Sequence, residues 1–318
     1  MALFLSENDV KKLLTVAMAI EGVESAHRDL ALGQAIDTPR ARSRLPQTVL
    51  HILQGALSAQ GVIGYKAYTT NRSGSRFLVH LFDAASGQLR AVIEANYLGM
   101  IRTGAVSGLA AKWLARPDSR VAGVFGAGWQ AEGHVRAICA ALPLERVKVF
   151  SRNSEKLQAF CQRMSAATGV SVVPAASPEE TVRGSDLLGT VTTATLPLFD
   201  ADWLAAGTHI NAAGSNALIR QELSEATVRR CDLVTVDAVP TALAEAGDLL
   251  PLLEKGRLQA RQLVELGDVM TGRHVGRSSP EQITLFESQG MAIQDLAVGL
   301  RVLAAAEAAG LGEKIPLQ

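Results

Sequence analysis

The chain is poor in aromatic residues: eight Phe, three Tyr and three Trp in 318 positions, or 4%. That leaves little for the base-stacking platforms of single-strand nucleic-acid binders. It also lacks net charge, with 31 Lys+Arg against 31 Asp+Glu, which argues against sequence-independent binding to a phosphate backbone. The three cysteines, Cys139, Cys161 and Cys231, have no CxxC spacing. They exclude a disulfide framework and read as reduced core thiols of a cytoplasmic protein. The six histidines form no HxxxH or HExxH pair, so no metal site is expected. The apolar run in Met1–Glu7 is too short for a signal peptide, and no run approaches the roughly 18 residues a membrane span requires. What is present is a 48% apolar, 19% charged composition. It belongs to a folded protein, and the length suggests about two domains.

Residues 6–32 read as one helix. Ser6 caps it, Glu7 and Asp9 suit the dipole, and Asp9 stands where a full capping box would have Glu or Gln. Val10, Leu13, Leu14 and Ala17 then recur at helical spacing. From Pro39 to Glu94 the pattern is that of an antiparallel meander. Strands are expected at Thr48–Leu53, Gly61–Tyr68, Phe77–Asp83 and Leu89–Glu94, with turns at Ser73-Gly74 and Ser86-Gly87. A small-residue helix over 98–115 ends at Arg116-Pro117-Asp118. Strands and helices alternate after it, from 121–125 to 283–286, which implies a parallel sheet covered by helices. A helix from Ala292 to about Ala309 closes the chain. The fold class expected is α/β, a Rossmann-type dinucleotide-binding domain (116–291) plus a discontinuous α+β domain (1–115 and 292–318).

Val121-Ala122-Gly123-Val124-Phe125 runs into Gly126-Ala127-Gly128-Trp129-Gln130-Ala131, a GxGxxA loop between a strand and a helix. Gly126 allows the tight turn, Gly128 lets a pyrophosphate approach the backbone, and Ala131 keeps the helix close to the strand. The helix N-terminus offers free N–H groups to phosphates. At the tip of the second strand, Ser151-Arg152-Asn153-Ser154 carries no carboxylate for a ribose 2′-hydroxyl. Ser151, Arg152 and Ser154 instead suit a 2′-phosphate, so NADP(H) is preferred and NAD(H) is possible.

Several segments, in order, resemble the ornithine cyclodeaminase/mu-crystallin family: Gly64-Tyr65-Lys66, Arg102-Thr103-Gly104-Ala105-Val106-Ser107, Gly126–Ala131, Gly207–Ala212 with Gln221-Glu222-Leu223, Val236-Asp237 with Gly247-Asp248, and Phe286-Glu287-Ser288-Gln289-Gly290. The resemblance spans nearly the whole chain. It implies a homodimer formed through the sheet of the first domain. It places the carboxylate-binding arginine within Pro39–Arg44, at Arg42, although alternation puts Arg40, Arg42 and Arg44 on one strand face. It matches the active-site lysine to Lys66, the cofactor-side arginine to Arg102 and the nicotinamide-side serine to Ser288. It adds Gln289 to the substrate side, and Trp129, Gln130, Thr192, Ala213, Gly214, Ser215 and Arg220 to the cofactor side. Cyclodeaminases of the family carry an acid/base Asp in the segment Ala213–Ala217, and here Asn216 stands in its place. An amide neither accepts nor releases a proton at working pH, which favours the ketimine reductase branch.

The residues read alone support the same chemistry. A nicotinamide cofactor supplies hydride, and the protein must bind, orient and polarise. Arg42 can hold the carboxylate of an imino acid with its planar fork. Lys66, desolvated among cations, should have a lowered pKa suited to proton transfer. Lys66 is thus a catalytic candidate, and the resemblance adds Asn216 at the position of the family's acid/base residue. Arg102 could alternatively pair with Glu94, and His209 reads as a core histidine. The expected function is NAD(P)H-dependent reduction of imino acids, such as pyrroline- or piperideine-2-carboxylate, or the equivalent amino-acid dehydrogenation. The alternatives are ornithine cyclodeamination and a non-enzymatic, crystallin-like NADPH-binding protein.

Overall fold

The computed structural model describes residues 2–316. The chain divides into two compact units, one formed by residues through Arg102 with those from Gly290 onward, the other by Thr103–Gln289. In chain order the first segment holds β1 (Ala2–Leu5), α1 (Glu7–Leu13), α2 (Val16–Ala31), β2 (Ala35–Arg44), β3 (Thr48–Leu57), β4 (Val62–Asn71), β5 (Gly74–Asp83), β6 (Leu89–Glu94) and the start of α3 (Asn96–Leu114). The second unit continues with β7 (Val121–Phe125), α4 (Trp129–Ala141), β8 (Arg146–Phe150), α5 (Ser154–Thr168), β9 (Ser171–Pro174), α6 (Pro178–Val182), β10 (Leu187–Thr190), β11 (His209–Ala212), α7 (Glu225–Arg229), β12 (Leu233–Val236), α8 (Val239–Glu245), α9 (Leu250–Glu254), β13 (Leu263–Glu265), α10 (Leu266–Met270) and β14 (Thr284–Glu287). The chain closes with α11 (Ala292–Ala309) and β15 (Glu313–Ile315).

The first unit is a seven-stranded sheet in the order β15-β1-β6-β5-β4-β3-β2. β2 to β6 form the antiparallel meander, and β1 joins β6 in parallel. α11 lies across one face of this sheet. Gly55 and Gly64, opposite each other on β3 and β4, make that possible. A Cβ on Gly55 would stand 2.8 Å from Ile293 Cγ2, and one on Gly64 would stand 3.0 Å from Leu296 Cδ2. The glycine of the Gly64-Tyr65-Lys66 segment is required above all by β5, because a Cβ there would collide with the His80 backbone carbonyl, and it also leaves room for Leu296 of α11.

The single helix expected over 6–32 is two. Leu14 is extended and ends α1, and Thr15 starts α2 by accepting from Met18 N at 3.2 Å. The break rotates the inward stripe, so Ala17 is exposed while Ala19, Gly22, Val23 and Ala26 are buried. The capping box at Ser6 is complete with Asp9, whose carboxylate reaches back to Ser6 N at 3.1 Å. The shorter side chain suffices because the two groups also share a 2.6 Å hydroxyl contact. Gly61 is left-handed (φ +63), so β4 begins at Val62, one residue later than the expected strand start.

The second unit is an eight-stranded parallel sheet, β13-β12-β14-β11-β10-β7-β8-β9, of the Rossmann type. β10, β11, β12 and β14 are buried throughout, as befits strands covered on both faces. The strand order reverses at β7, and ligands of such sheets bind beyond the carboxyl ends of the strands at this switch point. A Cβ on Gly104 would collide with the Gly133 backbone, and one on Gly108 would stand 2.8 Å from Ala137 O. Two glycines thus let α3 and α4 cross almost backbone to backbone. β13 has too few residues to show a period in the sequence. Among the described residues, no helix is long and apolar enough to cross a membrane.

Candidate active site

In the first unit the site is built on the sheet face that α11 covers. Lys66 in the middle of β4 is 3% exposed, and its Nζ stands 2.6 Å from Asp295 Oδ2. Asp295 sits in the first turn of α11, where the helix dipole favours its charge. Its other oxygen accepts from Arg102 Nε at 2.9 Å. Arg102 Nη1 donates to Gln294 Oε1 at 2.8 Å, and Gln294 Nε2 lies 3.1 Å from Nε2 of the buried His27. Arg102 therefore does not pair with Glu94. That carboxylate accepts from Glu7 N at 2.8 Å, while Glu7 caps the start of α3 at Asn96 and Tyr97. Burial pushes the Lys66 ammonium down to about 7. The Arg102 charge adds to that, Asp295 opposes it, and Arg40 contributes a smaller push.

A bulge in β2 between Thr38 and Ala41 sets the arginines. Thr38 pairs with Gln54 and Ala41 with Ile52, so Pro39 and Arg40 both face Leu53, whose β4 partner is Lys66. Arg42 lies one row on, opposite His51, and Arg44 lies opposite Val49. His51 stacks on Tyr68 with ring centroids 4.3 Å apart, and Lys66 Nζ stands 6.0 Å from the Tyr68 centroid. Burial and the charges of Arg40, Arg42 and Arg44 hold His51 down at about 4, so it is a neutral spacer beneath a cationic row.

In the second unit the glycine loop leaves β7 at its carboxyl end. Gly126 is at φ +111, which only glycine adopts readily, and a Cβ there would stand 2.6 Å from Val191 O. Gly128 caps α4, and a Cβ on it would meet nothing within 4 Å. Its backbone faces open space, which is what an approaching pyrophosphate needs. Trp129 begins α4 half exposed, Gln130 is exposed and Ala131 is fully buried against the sheet. At the end of β8, Ser151 is half-buried and Arg152 exposed, and Asn153 caps α5 by accepting from Lys156 N at 2.9 Å. The loop, the free helix start and the missing carboxylate at β8 fit an NAD(P) dinucleotide.

The loops beyond the neighbouring strands gather the remaining candidates around buried acids. Thr192 N and Oγ1 donate to Glu222 Oε1 at 2.6 and 2.7 Å, and Gly214 N donates to Oε2 at 2.8 Å. Ser215 Oγ donates to Glu287 Oε1, which Gln289 Nε2 also reaches at 3.0 Å. Ser288 Oγ and Gln289 N donate to Asp237 Oδ2 at 3.0 and 2.8 Å. Asp248 Oδ1 accepts from Glu222 N and Leu223 N at 2.7 and 3.0 Å. Ala213, Asn216 and Arg220 are half-buried on the loop after β11. Glu222, Asp237, Asp248 and Glu287 lie in the segments that carry the family resemblance but with no role attached, and Asp295 lies outside those segments. A carboxylate in an otherwise apolar stretch such as Ala292-Ile293-Gln294-Asp295-Leu296-Ala297 is the signal that could have found it. His209 is a core histidine: its ring bridges Thr284 Oγ1 and Asn211 Oδ1 at 2.9 and 3.1 Å, and burial holds it at about 3.

A profile of the ornithine cyclodeaminase/mu-crystallin family matches residues 1–309. A delta(1)-pyrroline-2-carboxylate reductase of Bacillus cereus is 33% identical over 325 aligned positions, covering 98% of this chain and 99% of that protein. The structure of the Thermococcus litoralis delta(1)-pyrroline-2-carboxylate reductase in complex with NADH and L-proline superposes with a TM-score of 0.94 at 30% identity, covering 98% of this chain and 100% of the other. An archaeal alanine dehydrogenase dimer with bound NAD gives a TM-score of 0.93 at 30% identity, covering 100% and 99%.

Proposed function

Because the chain belongs to the ornithine cyclodeaminase/mu-crystallin family, we propose that it is an NAD(P)H-dependent reductase of imino acids, acting on the C=N bond of carboxylate-bearing imines such as pyrroline-2-carboxylate. The observation that carries this reading is Lys66, a buried amine held by a single carboxylate, Asp295, and brought to a pKa of about 7. A group with that pKa can hold or release a proton at working pH. NAD(P)H, when bound, supplies the hydride for the imine carbon. The chain's own residues then have two tasks, to hold the carboxylate and to provide a proton for the imine nitrogen. Arg42, with Arg40 on the row of Lys66, takes the carboxylate. The Lys66 ammonium adds a second charge to that grip and is the proton source.

Asn216 occupies the position of the cyclodeaminase acid/base, so ornithine deamination is not the favoured activity. Ser151 and Arg152 at the tip of β8, with no carboxylate beside them, support a preference for NADP(H). A homodimer is supported by the sheet face turned away from α11. There Ile36 is 67% and Ile63 48% exposed, Leu50 and Leu78 join them, and Tyr65 stacks with His80.

The test is oxidation of NADPH and NADH with pyrroline- and piperideine-2-carboxylate, and with pyruvate plus ammonia or methylamine. Ornithine with NAD is run beside them. Turnover of at least one imino acid is the expected result. Tight NADPH binding with no turnover would return the crystallin-like reading, and ammonia release from ornithine the cyclodeaminase one.

A further inference from the structure

One carboxylate fixes the loops that follow β10 and β11, the two strands next in order on one side of β7. Thr192 lies two residues beyond β10, Gly214 two residues beyond β11, and Glu222 receives both. The loop after β10 in turn backs directly on the glycine loop, through Val191 O against Gly126. We propose that Glu222 is a positioning residue for the dinucleotide: it locks the loops at Thr192 and Gly214 against the Gly126 turn, so that the cofactor meets a preformed wall. This rests on reading the second unit as the NAD(P) site.

The chemistry demands a carboxylate. Three donors, two of them backbone N–H groups that cannot turn away, converge on both oxygens of Glu222. A glutamine has one oxygen and one NH₂, so either Thr192 or Gly214 would face a donor. The glycine at 214 follows from the same contact, since a Cβ there would stand 2.5 Å from each Glu222 oxygen. Asp248 fixes Glu222 from behind through the amides of Glu222 and Leu223. Burial raises all three acids, Asp248 to about 7, and the Asp248 and Glu222 charges push Glu287 up further.

The experiment measures dissociation constants of NADPH and NADH by titration, with melting temperature read separately. Glu222→Gln should weaken both cofactors by roughly tenfold or more and by the same factor, because the disturbed loops lie away from the β8 tip. The KM for an imino acid at saturating cofactor should stay within about twofold. A merely structural residue would lower the melting temperature and leave the dissociation constants alone, and that result overturns the proposal. The second variant is Gly214→Ala, which should weaken both cofactors likewise. Adding Glu222→Asp, one methylene shorter, should restore at least about threefold by making room for the new methyl. Losses that merely accumulate would overturn the proposal, and if Glu222→Gln does not fold this pair decides alone. A wild-type protein that binds NADPH yet reduces no imino acid ends the reductase reading while leaving this comparison intact. A wild-type protein that binds neither cofactor overturns both.

Discussion

Asp295 and Lys66 form an ion pair of 2.6 Å in which neither side chain reaches solvent appreciably. The same carboxylate also serves Arg102, so one negative charge answers two buried positive ones, and a substrate carboxylate would complete the balance. Asp295→Asn should leave two uncompensated cations and cost about 3–5 kcal/mol of stability, the usual penalty for removing one partner of a buried pair. It should also depress Lys66 below its present value of about 7, because Asp295 is the group that holds it up. The protonated form needed for reduction would then be lost at lower pH, and the alkaline limb of the kcat profile should move toward acid. Urea melts and pH–rate profiles read the two effects. A profile that does not move would remove Lys66 from the proton transfer.

Arg152→Ala should weaken NADPH by roughly 10- to 150-fold, the range for one charge-assisted hydrogen bond, and barely alter NADH. Arg152 is exposed at the tip of β8, with no carboxylate of that strand end beside it. Equal losses for the two cofactors would show that Arg152 does not read the 2′-phosphate.

The sequence made the sheets legible because their signals are local. GxGxxA follows a buried strand, and alternation placed Arg40, Arg42 and Arg44 on one face of β2. It also gave His209 as a core residue from its apolar neighbours, which the Thr284 and Asn211 contacts bear out. What it could not show depends on long-range pairing. Asp295 meets Lys66 and Arg102 because α11 packs on β3 and β4, where Gly55 leaves room for Ile293. Which arginine stands nearest Lys66 is decided by a bulge, and a single extra residue leaves no trace in a polar strand. The break at Leu14–Thr15 was hidden because apolar residues continue across it.

Ornithine should yield little or no ammonia. Asn216 is half-buried on the loop between Ser215, bonded to Glu287, and Arg220. A general acid–base group contributes about 10²–10⁴-fold, and the amide contributes none of it. Deamination at a rate comparable with imine reduction would mean that another acid, buried or not, does this work. Asn216→Asp should raise ammonia release above the wild-type level if the pocket admits ornithine.

Lys66 and Arg42 share a sheet face but should fail in different ways when removed. Arg42 lies one row from Lys66 beside the neutral His51, outside the buried ion-pair cluster. Its contact with a carboxylate is the same in the ground state and the transition state, so Arg42→Ala should raise KM and spare kcat. Lys66 differs because its pKa of about 7 makes it a proton source at working pH. Lys66→Ala should therefore lower kcat as well as raise KM, by about 10²-fold or more in kcat if it protonates the imine nitrogen. In the wild type, the ammonium is lost as pH rises through about 7, so kcat should fall across that range, and in Lys66→Ala the fall should vanish. Arg42→Ala should keep it. The comparison needs one imino acid, saturating cofactor and rates from pH 5.5 to about 9. Full kcat in Lys66→Ala would reduce Lys66 to a binding residue. Loss of the pH dependence in Arg42→Ala as well would show that the falling limb does not report Lys66 alone.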